Sequence, residues 1–182
     1  MKTGLVIVDI QNDYFPGGKM ELEGSIDASR NARALLLTFR EKRLPVFHLQ
    51  HISSRPGATF FLPNTPGMKI HESVTPVAGE TVLQKSFPNS FRGTDLLDRL
   101  KQNEVTHLVV VGMMTHMCID TTVRVAFDLG FPCELAHDAC ATKALSFGSE
   151  IIPARQVHIS FLSALQGVFA NVLSARKITR KL

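Results

Sequence analysis

The sequence predicts an α/β fold of the Rossmann-like type: a three-layer αβα sandwich with a six-stranded, mainly parallel sheet and helices on both faces. Short apolar runs rich in Val, Ile and Leu alternate along the chain with longer segments of helical periodicity. The runs are apolar on both faces, which is typical of parallel strands covered from two sides. Right-handed crossovers then bring the carboxyl ends of the strands to one edge of the sheet, where ligands bind.

The first half of the chain is predicted to run strand, helix, strand, loop, strand. Helical spacing predicts a helix over 28–42, with Asp27 placed to cap its N-terminus. A long segment rich in Pro, Gly, Ser and Thr covers 51–79, and a loop of this length in a compact domain is usually functional. The apolar runs that predict strands are 5–10, 45–50 and 81–85.

The second half continues the alternation of strands and helices. Gly112 is expected to end the fourth strand, and Pro153 stands near the first turn of the last long helix. The predicted strands are 107–111, 132–136 and 167–173, and the predicted helices are 94–102, 119–129 and 153–165. No repeat or linker divides the chain, so we expect one domain over 1–182.

Composition argues against a disordered, membrane-spanning, secreted or nucleic-acid-binding protein. The 182 residues are 45% hydrophobic and 20% charged, values that argue against disorder. No apolar run reaches the roughly 18–20 residues of a membrane span, and the N-terminal run is too short for a signal peptide. Three cysteines form neither an even set nor a Cys-x-x-Cys pair, which favours a reducing, cytoplasmic location. The net charge of +4 comes largely from the C-terminal tail, and without a basic, aromatic-rich patch we expect no nucleic-acid or membrane partner.

Three chemically useful side chains stand at or just past predicted strand ends: Asp9, Lys85 and Cys118. Each has an ordinary explanation, since a strand-end Asp often caps a turn, a lone Lys is usually solvated, and Cys is often a small buried hydrophobe. Their joint placement at one sheet edge instead favours a nucleophilic thiol served by a carboxylate and an ammonium.

The cysteine opens a predicted helix, where free N–H groups favour an anion. We therefore expect its pKa to fall from about 8.5 into the range of roughly 3.5–7.5. The backbone N–H groups of Met114 and Cys118 are expected to hold a developing oxyanion.

The segments VIVDIQNDYFPGG, LQKSFPNSFRGTDL, VVVGMMTHMCIDTTVRVAFDLGF and AHDACAT together resemble the isochorismatase-like cysteine hydrolases, which include nicotinamidases, N-carbamoylsarcosine amidase and ureidoacrylate hydrolases. The resemblance covers nearly the whole chain. It implies a catalytic Asp–Lys–Cys triad at Asp9, Lys85 and Cys118, and a cis peptide bond between Met113 and Met114. It also implies a homo-oligomer, a dimer or tetramer.

The resemblance is incomplete at the place where metal-binding nicotinamidases carry an Asp-x-His motif. Here the segment reads His48-Leu49-Gln50-His51, without a carboxylate. A zinc site made of His48, His51 and His71 is the alternative; the favoured interpretation places His51 in the pocket lining and His71 in loop packing. We therefore expect neither a metal nor a cofactor.

A small-molecule pocket is expected around the triad. Aromatic side chains would clamp a flat substrate and an amide side chain would orient it, although any of the phenylalanines can equally be a core or subunit-interface residue. The expected substrate-binding residues are Gln11, Phe15, His51, Phe60, Phe87, Asn89 and His116.

The predicted function is hydrolysis of a C–N bond in a small amide or ureide through a thioester. Two alternatives stay open. One is vinyl ether hydrolysis of the isochorismatase type, which does not require the thiol. The other is a non-catalytic small-molecule-binding or redox-responsive protein that uses Cys118. Only sustained turnover that depends on the thiol separates the enzyme from the sensor.

Overall fold

The computed structural model describes residues 2–182, and its centre is a six-stranded sheet in which every neighbouring pair is parallel. The strands in chain order are β1 (Thr3–Val8), β2 (Val46–His51), β3 (Thr81–Lys85), β4 (His107–Met113), β5 (Cys133–Ala141) and β8 (Asn171–Leu173). Two further short strands, β6 (Leu145–Phe147) and β7 (Glu150–Ile152), form a separate antiparallel hairpin. The main sheet has the order β3-β2-β1-β4-β5-β8.

Helices cover both faces of this sheet, so the predicted αβα sandwich is confirmed. The helices are α1 (Ser25–Glu41), α2 (Leu96–Gln102), α3 (Asp120–Asp128), α4 (Ala154–Leu165) and α5 (Ala175–Thr179). One core cluster packs α1 and α5 against one face, and a second packs α2, α3 and α4 against the other. Successive side chains of β1 point to opposite faces of the sheet. Leu5 and Ile7 therefore belong to the first cluster, and Val6 and Val8 belong to the second.

Several element boundaries differ from prediction. Helix α1 begins at Ser25 after Gly24, whose left-handed φ of 77° forms the N-cap; Asp27 lies inside the first turn instead and pairs with Arg30 at 3.0 Å. Gly112 continues β4 rather than ending it, because it pairs with Val8 so closely that a Cβ atom would collide with the Val8 backbone. The β6–β7 hairpin and α5 were not predicted.

The order of the sheet reverses between β1 and β4, which are adjacent and in register, with Val8 opposite Gly112. The carboxyl edge at such a reversal is where open α/β sheets bind ligands. The segment predicted as a long loop folds across this edge and is held there by backbone hydrogen bonds from Asn12 to Lys69 and from His71 to Ile10. None of the helices in residues 2–182 has the length and apolar character that crossing a bilayer requires.

Candidate active site

Asp9 directly follows β1 and adopts a left-handed backbone conformation with φ of 52°, which Asp tolerates better than most residues. Its N–H donates to the Leu49 carbonyl at 3.0 Å, so the residue is fixed between β1 and β2. The side chain is wholly buried. Its carboxylate forms an ion pair with Lys85 and lies beside the Cys118 thiol, so it is placed to accept the thiol proton.

Lys85 ends β3 and reaches across the end of β2. Its Nζ atom lies 2.6 Å from Asp9 Oδ2, 3.3 Å from His51 Nδ1 and 3.1 Å from the Phe87 carbonyl oxygen. These three acceptors match the three protons of an ammonium group. Burial alone would lower the pKa of Lys85, but Asp9 and Cys118 outweigh it and raise that pKa, so Lys85 is charged.

His51, at the end of β2, is the neutral member of this group. Because Nδ1 accepts from the Lys85 ammonium, we assign the ring proton to Nε2. Burial lowers the pKa of His51, and the Lys85 charge adds to this against the opposing effect of Asp9. His51 therefore stays uncharged at neutral pH.

Cys118 lies in a single π-helical turn, Thr115–Ile119, that connects β4 to α3. Its Sγ atom, a carboxylate oxygen of Asp9 and a ring nitrogen of His51 all lie within 4.8 Å of one another. Burial and the Asp9 carboxylate raise the pKa of the Cys118 thiol, and Lys85 offsets them only in part. The predicted fall in this pKa is therefore wrong: the resting group is a thiol, whose proton has a carboxylate beside it.

The peptide bond between Met113 and Met114 is cis, in agreement with the prediction. The Met114 carbonyl accepts hydrogen bonds from the N–H groups of Met117 and Ile119, whereas the Met114 N–H donates to no described residue. The Cys118 N–H lies in the opening turn of the helical segment, where N–H groups lack helical acceptors. Both residues line the same cavity.

This cavity has a volume of about 140 Å³. This size suits a small substrate. The lining residues are Tyr14, His51, Ser53, Ser54, Arg55, Phe60, Ser86, Pro88, Met114, Met117 and Cys118. Of the seven predicted substrate-binding residues, His51 and Phe60 are in this lining.

Gln11 and Phe15 were expected to bind substrate, but they lie outside the cavity lining and have structural roles instead. The Gln11 amide donates to the carbonyls of His51 and Met68 and accepts from the His51 N–H, so this wholly buried side chain joins the end of β2 to the loop that follows it. Phe15 stacks on His71 with ring centroids 3.5 Å apart. Neither side chain is free to hold a substrate.

Phe87, Asn89 and His116 are also outside the cavity lining. The Phe87 ring carries the Arg92 guanidinium at 3.7 Å, and the Asn89 side chain accepts from the Phe91 N–H in a local turn. His116 Nδ1 lies 2.5 Å from the Thr142 hydroxyl, an inter-segment contact that fixes the nucleophile turn. These three residues hold the segments around the site in place and do not line the cavity.

The three histidines of the zinc alternative do not come together. His48 pairs with Glu80 at 2.9 Å, His71 is used by Ser73 and Phe15, and only His51 reaches the cavity. Among residues 2–182, the three-residue group with metal-ligand geometry is Asp9, His51 and Cys118. The Lys85 ammonium contacts two of its members, and a fixed positive charge there disfavours a cation.

The remaining cysteines are structural. Cys133 and Cys140 are buried, and burial raises the pKa of each thiol to about 12. The cavity residues that sequence reasoning missed are Tyr14, Ser53, Ser54, Arg55, Ser86, Pro88 and Met117. Tyr14 belongs to the segment VIVDIQNDYFPGG, but the turn over Asn12–Tyr14, which the sequence did not predict, directs its side chain into the cavity.

Fold and site together define a three-layer αβα protein with a buried cysteine, carboxylate and lysine at the reversal of a parallel sheet. A sequence model of the isochorismatase domain matches residues 3–175. The uncharacterised isochorismatase family protein YddQ of Bacillus subtilis is 52% identical over 172 residues, covering 94% of this chain and 96% of that protein. The chain belongs to the isochorismatase family of hydrolases.

Two further comparisons extend this result. A crystal structure from Oleispira antarctica, described provisionally as an isochorismatase hydrolase, superposes with a TM-score of 0.95 at 47% identity and covers 98% of this chain and 96% of its own. A protein of Streptomyces noursei named streptothricin hydrolase is 36% identical over 138 residues, covering 76% of this chain and 49% of that protein.

Proposed function

We propose that the protein is a cysteine hydrolase that cleaves a C–N bond of a small amide or ureide through a thioester. The observation that carries the proposal is the buried cluster of Asp9, Lys85 and Cys118, whose cysteine lines a small cavity. A thiol, a proton acceptor and a fixed cation within reach of one carbonyl group are the parts that acyl transfer requires.

The first step is attack on the substrate carbonyl. The Cys118 S–H proton passes to the Asp9 carboxylate as the sulfur forms a bond to the carbonyl carbon. The carbonyl oxygen becomes an oxyanion and receives hydrogen bonds from the N–H groups of Met114 and Cys118. Lys85 keeps its proton throughout; it holds the carboxylate in place and balances charge in a buried site.

The tetrahedral intermediate then collapses. The C–N bond breaks, Asp9 returns the proton to the departing nitrogen, and an amine or ammonia leaves behind a thioester on Cys118. Water next attacks the thioester carbon while Asp9 takes its proton. The C–S bond breaks, the sulfur recovers the proton from Asp9, and the carboxylic or carbamic acid departs. Proton transfer of this kind contributes about 10²–10⁴-fold to the rate.

One observation favours C–N hydrolysis over vinyl ether hydrolysis. Cys118 lines the cavity whereas the wholly buried Asp9 lies behind it, so a bound substrate meets the thiol, and ether cleavage has no need of a thiol.

The test is ammonia release from a panel of small amides and ureides, with wild type beside Cys118→Ala and Cys133→Ala. Cys133 is the matched control, because it is an equally buried thiol that begins β5, at the sheet edge opposite the triad. We expect one or more compounds to release ammonia with wild type and Cys133→Ala. Cys118→Ala should lose about 10³-fold or more.

Full activity of Cys118→Ala on a confirmed substrate would exclude the thioester route and leave chemistry that needs no thiol. Silence of wild type across the panel, with Cys118 still open to alkylation, would instead favour the binding or redox-responsive alternative. These two outcomes are separable because the first has a substrate and the second has none.

The expected homo-oligomer and cytoplasmic location remain predictions. The β6–β7 hairpin supports a partner surface, since Phe147 is 82% exposed and Ile151 is 73% exposed. Light scattering of wild type and Phe147→Ser in solution tests the dimer or tetramer, which the substitution should weaken.

A further inference from the structure

Tyr14 is the single tyrosine of a chain that has no tryptophan, and its position is rigid. It ends the turn Asn12–Tyr14 just after β1, where its N–H donates to the Gln11 carbonyl at 3.0 Å. The ring packs edge-on against Phe61, with centroids 4.6 Å apart, and lies near Phe60. Only 2% of the residue is exposed. Packing therefore fixes the direction of the hydroxyl.

The Tyr14 hydroxyl makes no hydrogen bond to a described residue, and its oxygen is not fully enclosed by protein, so it opens into the cavity that also holds Cys118. A polar group in this position can orient a bound ligand. Burial raises the pKa of Tyr14 well above its usual value, and the nearby Cys118, Asp9 and Asp13 act in the same direction. The group is thus a neutral, permanent donor that faces the space where a substrate binds.

A phenyl ring alone would fill the packing role against Phe60 and Phe61, so the hydroxyl serves something beyond the core. It does not serve Asp9, because neither carboxylate oxygen receives a hydrogen bond from it. The N–H groups of Met114 and Cys118 already account for the scissile carbonyl oxygen in the proposed reaction. The Tyr14 hydroxyl is therefore available to donate a hydrogen bond to a different atom of the substrate.

We propose that the Tyr14 hydroxyl donates a hydrogen bond to a second acceptor atom of the substrate, separate from the scissile carbonyl oxygen. The inference rests on the proposed function and narrows its substrate class. The preferred compounds are small amides or ureides that carry a further carbonyl, carboxylate or ring-nitrogen acceptor near the reacting carbon. An analogue without that acceptor leaves the phenol unpaired and is disfavoured.

The first experiment uses Tyr14 as its own spectroscopic probe, because near-ultraviolet tyrosine absorption of this chain arises from Tyr14 alone. Cys118 is modified with iodoacetamide, which leaves a carboxamide in the cavity, or with methyl methanethiosulfonate, which leaves a methylthio group without a carbonyl. We expect the carboxamide adduct to shift the Tyr14 band to longer wavelength and the methylthio adduct to leave it in place. Identical Tyr14 spectra for the two adducts would overturn the proposal, as would the same shift in iodoacetamide-treated Cys118→Ser.

The second experiment separates this proposal from the proposed function. Tyr14→Phe removes the hydroxyl and keeps the ring, and it is assayed on two substrates of matched size, with and without the second acceptor. We expect kcat/KM to fall about tenfold to hundredfold for the first and to change less than about twofold for the second. Equal values for wild type and Tyr14→Phe on both, with activity still lost in Cys118→Ala, would reject the Tyr14 role while leaving the thioester mechanism intact.

Discussion

The Nζ atom of Lys85 lies 2.6 Å from Oδ2 of Asp9, and neither side chain exposes any surface. Two opposite charges are thus held out of water at the ends of β1 and β3, which are separated in the sheet by β2. Such a pair is costly to desolvate and is weak evidence for stability by itself. Its value here lies in holding a carboxylate in place beside a thiol.

Removing one charge of the Asp9–Lys85 pair should destabilise the fold far more than removing both. Lys85→Met leaves a buried carboxylate without a countercharge and should lower the free energy of unfolding by about 3–5 kcal/mol. The double variant Asp9→Asn with Lys85→Met removes both charges and should recover most of that loss. Neither variant should retain activity. Urea unfolding measures the stabilities, and a double variant less stable than Lys85→Met would contradict this account.

The Cys118 thiol should react as an unactivated group in the absence of substrate. Because burial and Asp9 raise its pKa, the rate of alkylation by iodoacetamide should keep rising with pH through and above pH 9. Asp9→Asn removes a negative charge beside the sulfur and should lower the thiol pKa, whereas Lys85→Met should raise it further. Alkylation is quenched at set times and followed by mass spectrometry, which gives the rate as a function of pH. A rate that reaches a plateau near neutral pH would show a resting thiolate instead.

The triad was predictable from the sequence because a parallel sheet brings its strand ends to one edge. Asp9, Lys85 and Cys118 each follow an apolar run, and the strand order needed only to place those runs side by side. The cis peptide at Met113 followed from the resemblance rather than from any local signal.

The thiol pKa and most of the cavity lining were not predictable. Cys118 stands at a helix start in the sequence, but nothing there reveals its burial or its distance from Asp9, and burial and Asp9 both raise the pKa of the thiol. Gln11 looked suited to a substrate amide, yet the backbone of His51 and Met68 engages both its amide nitrogen and its amide oxygen. Long-range loop contacts decide such roles, and periodicity carries no information on them.

A second buried ionic cluster, remote from the triad, should control stability in acid. Glu80 accepts two hydrogen bonds from Arg40 and lies 2.9 Å from His48 Nε2. Burial alone would raise the pKa of Glu80, but Arg40, the Val77 N–H and His48 together lower it to about 2. A lowered folded-state pKa means that this stabilisation is present above about pH 4.5 and is lost as the pH falls towards about 2.

Glu80→Gln should therefore lower the free energy of unfolding by about 2–4 kcal/mol at pH 7. The difference from wild type should shrink at pH 3, and kcat/KM should be unchanged because Glu80 precedes β3 at the opposite edge of the sheet. Urea unfolding at the two pH values provides the measurement. A difference that grows in acid would mean that the sign of the Glu80 shift is wrong.

Arg55 should favour anionic substrates. It carries the one net charge in the cavity lining, because His51 is neutral, Cys118 is protonated, and no described carboxylate lies within ion-pair distance of the Arg55 guanidinium. Because Arg55 is exposed, its charge should contribute only about 1 kcal/mol, so Arg55→Met should raise KM for a carboxylate-bearing substrate about fivefold. KM for a neutral amide of the same size should not change, and salt should weaken the preference in wild type alone. Steady-state kinetics at two ionic strengths tests both points, and an equal rise in KM for the neutral amide would assign Arg55 to the shape of the loop rather than to charge recognition.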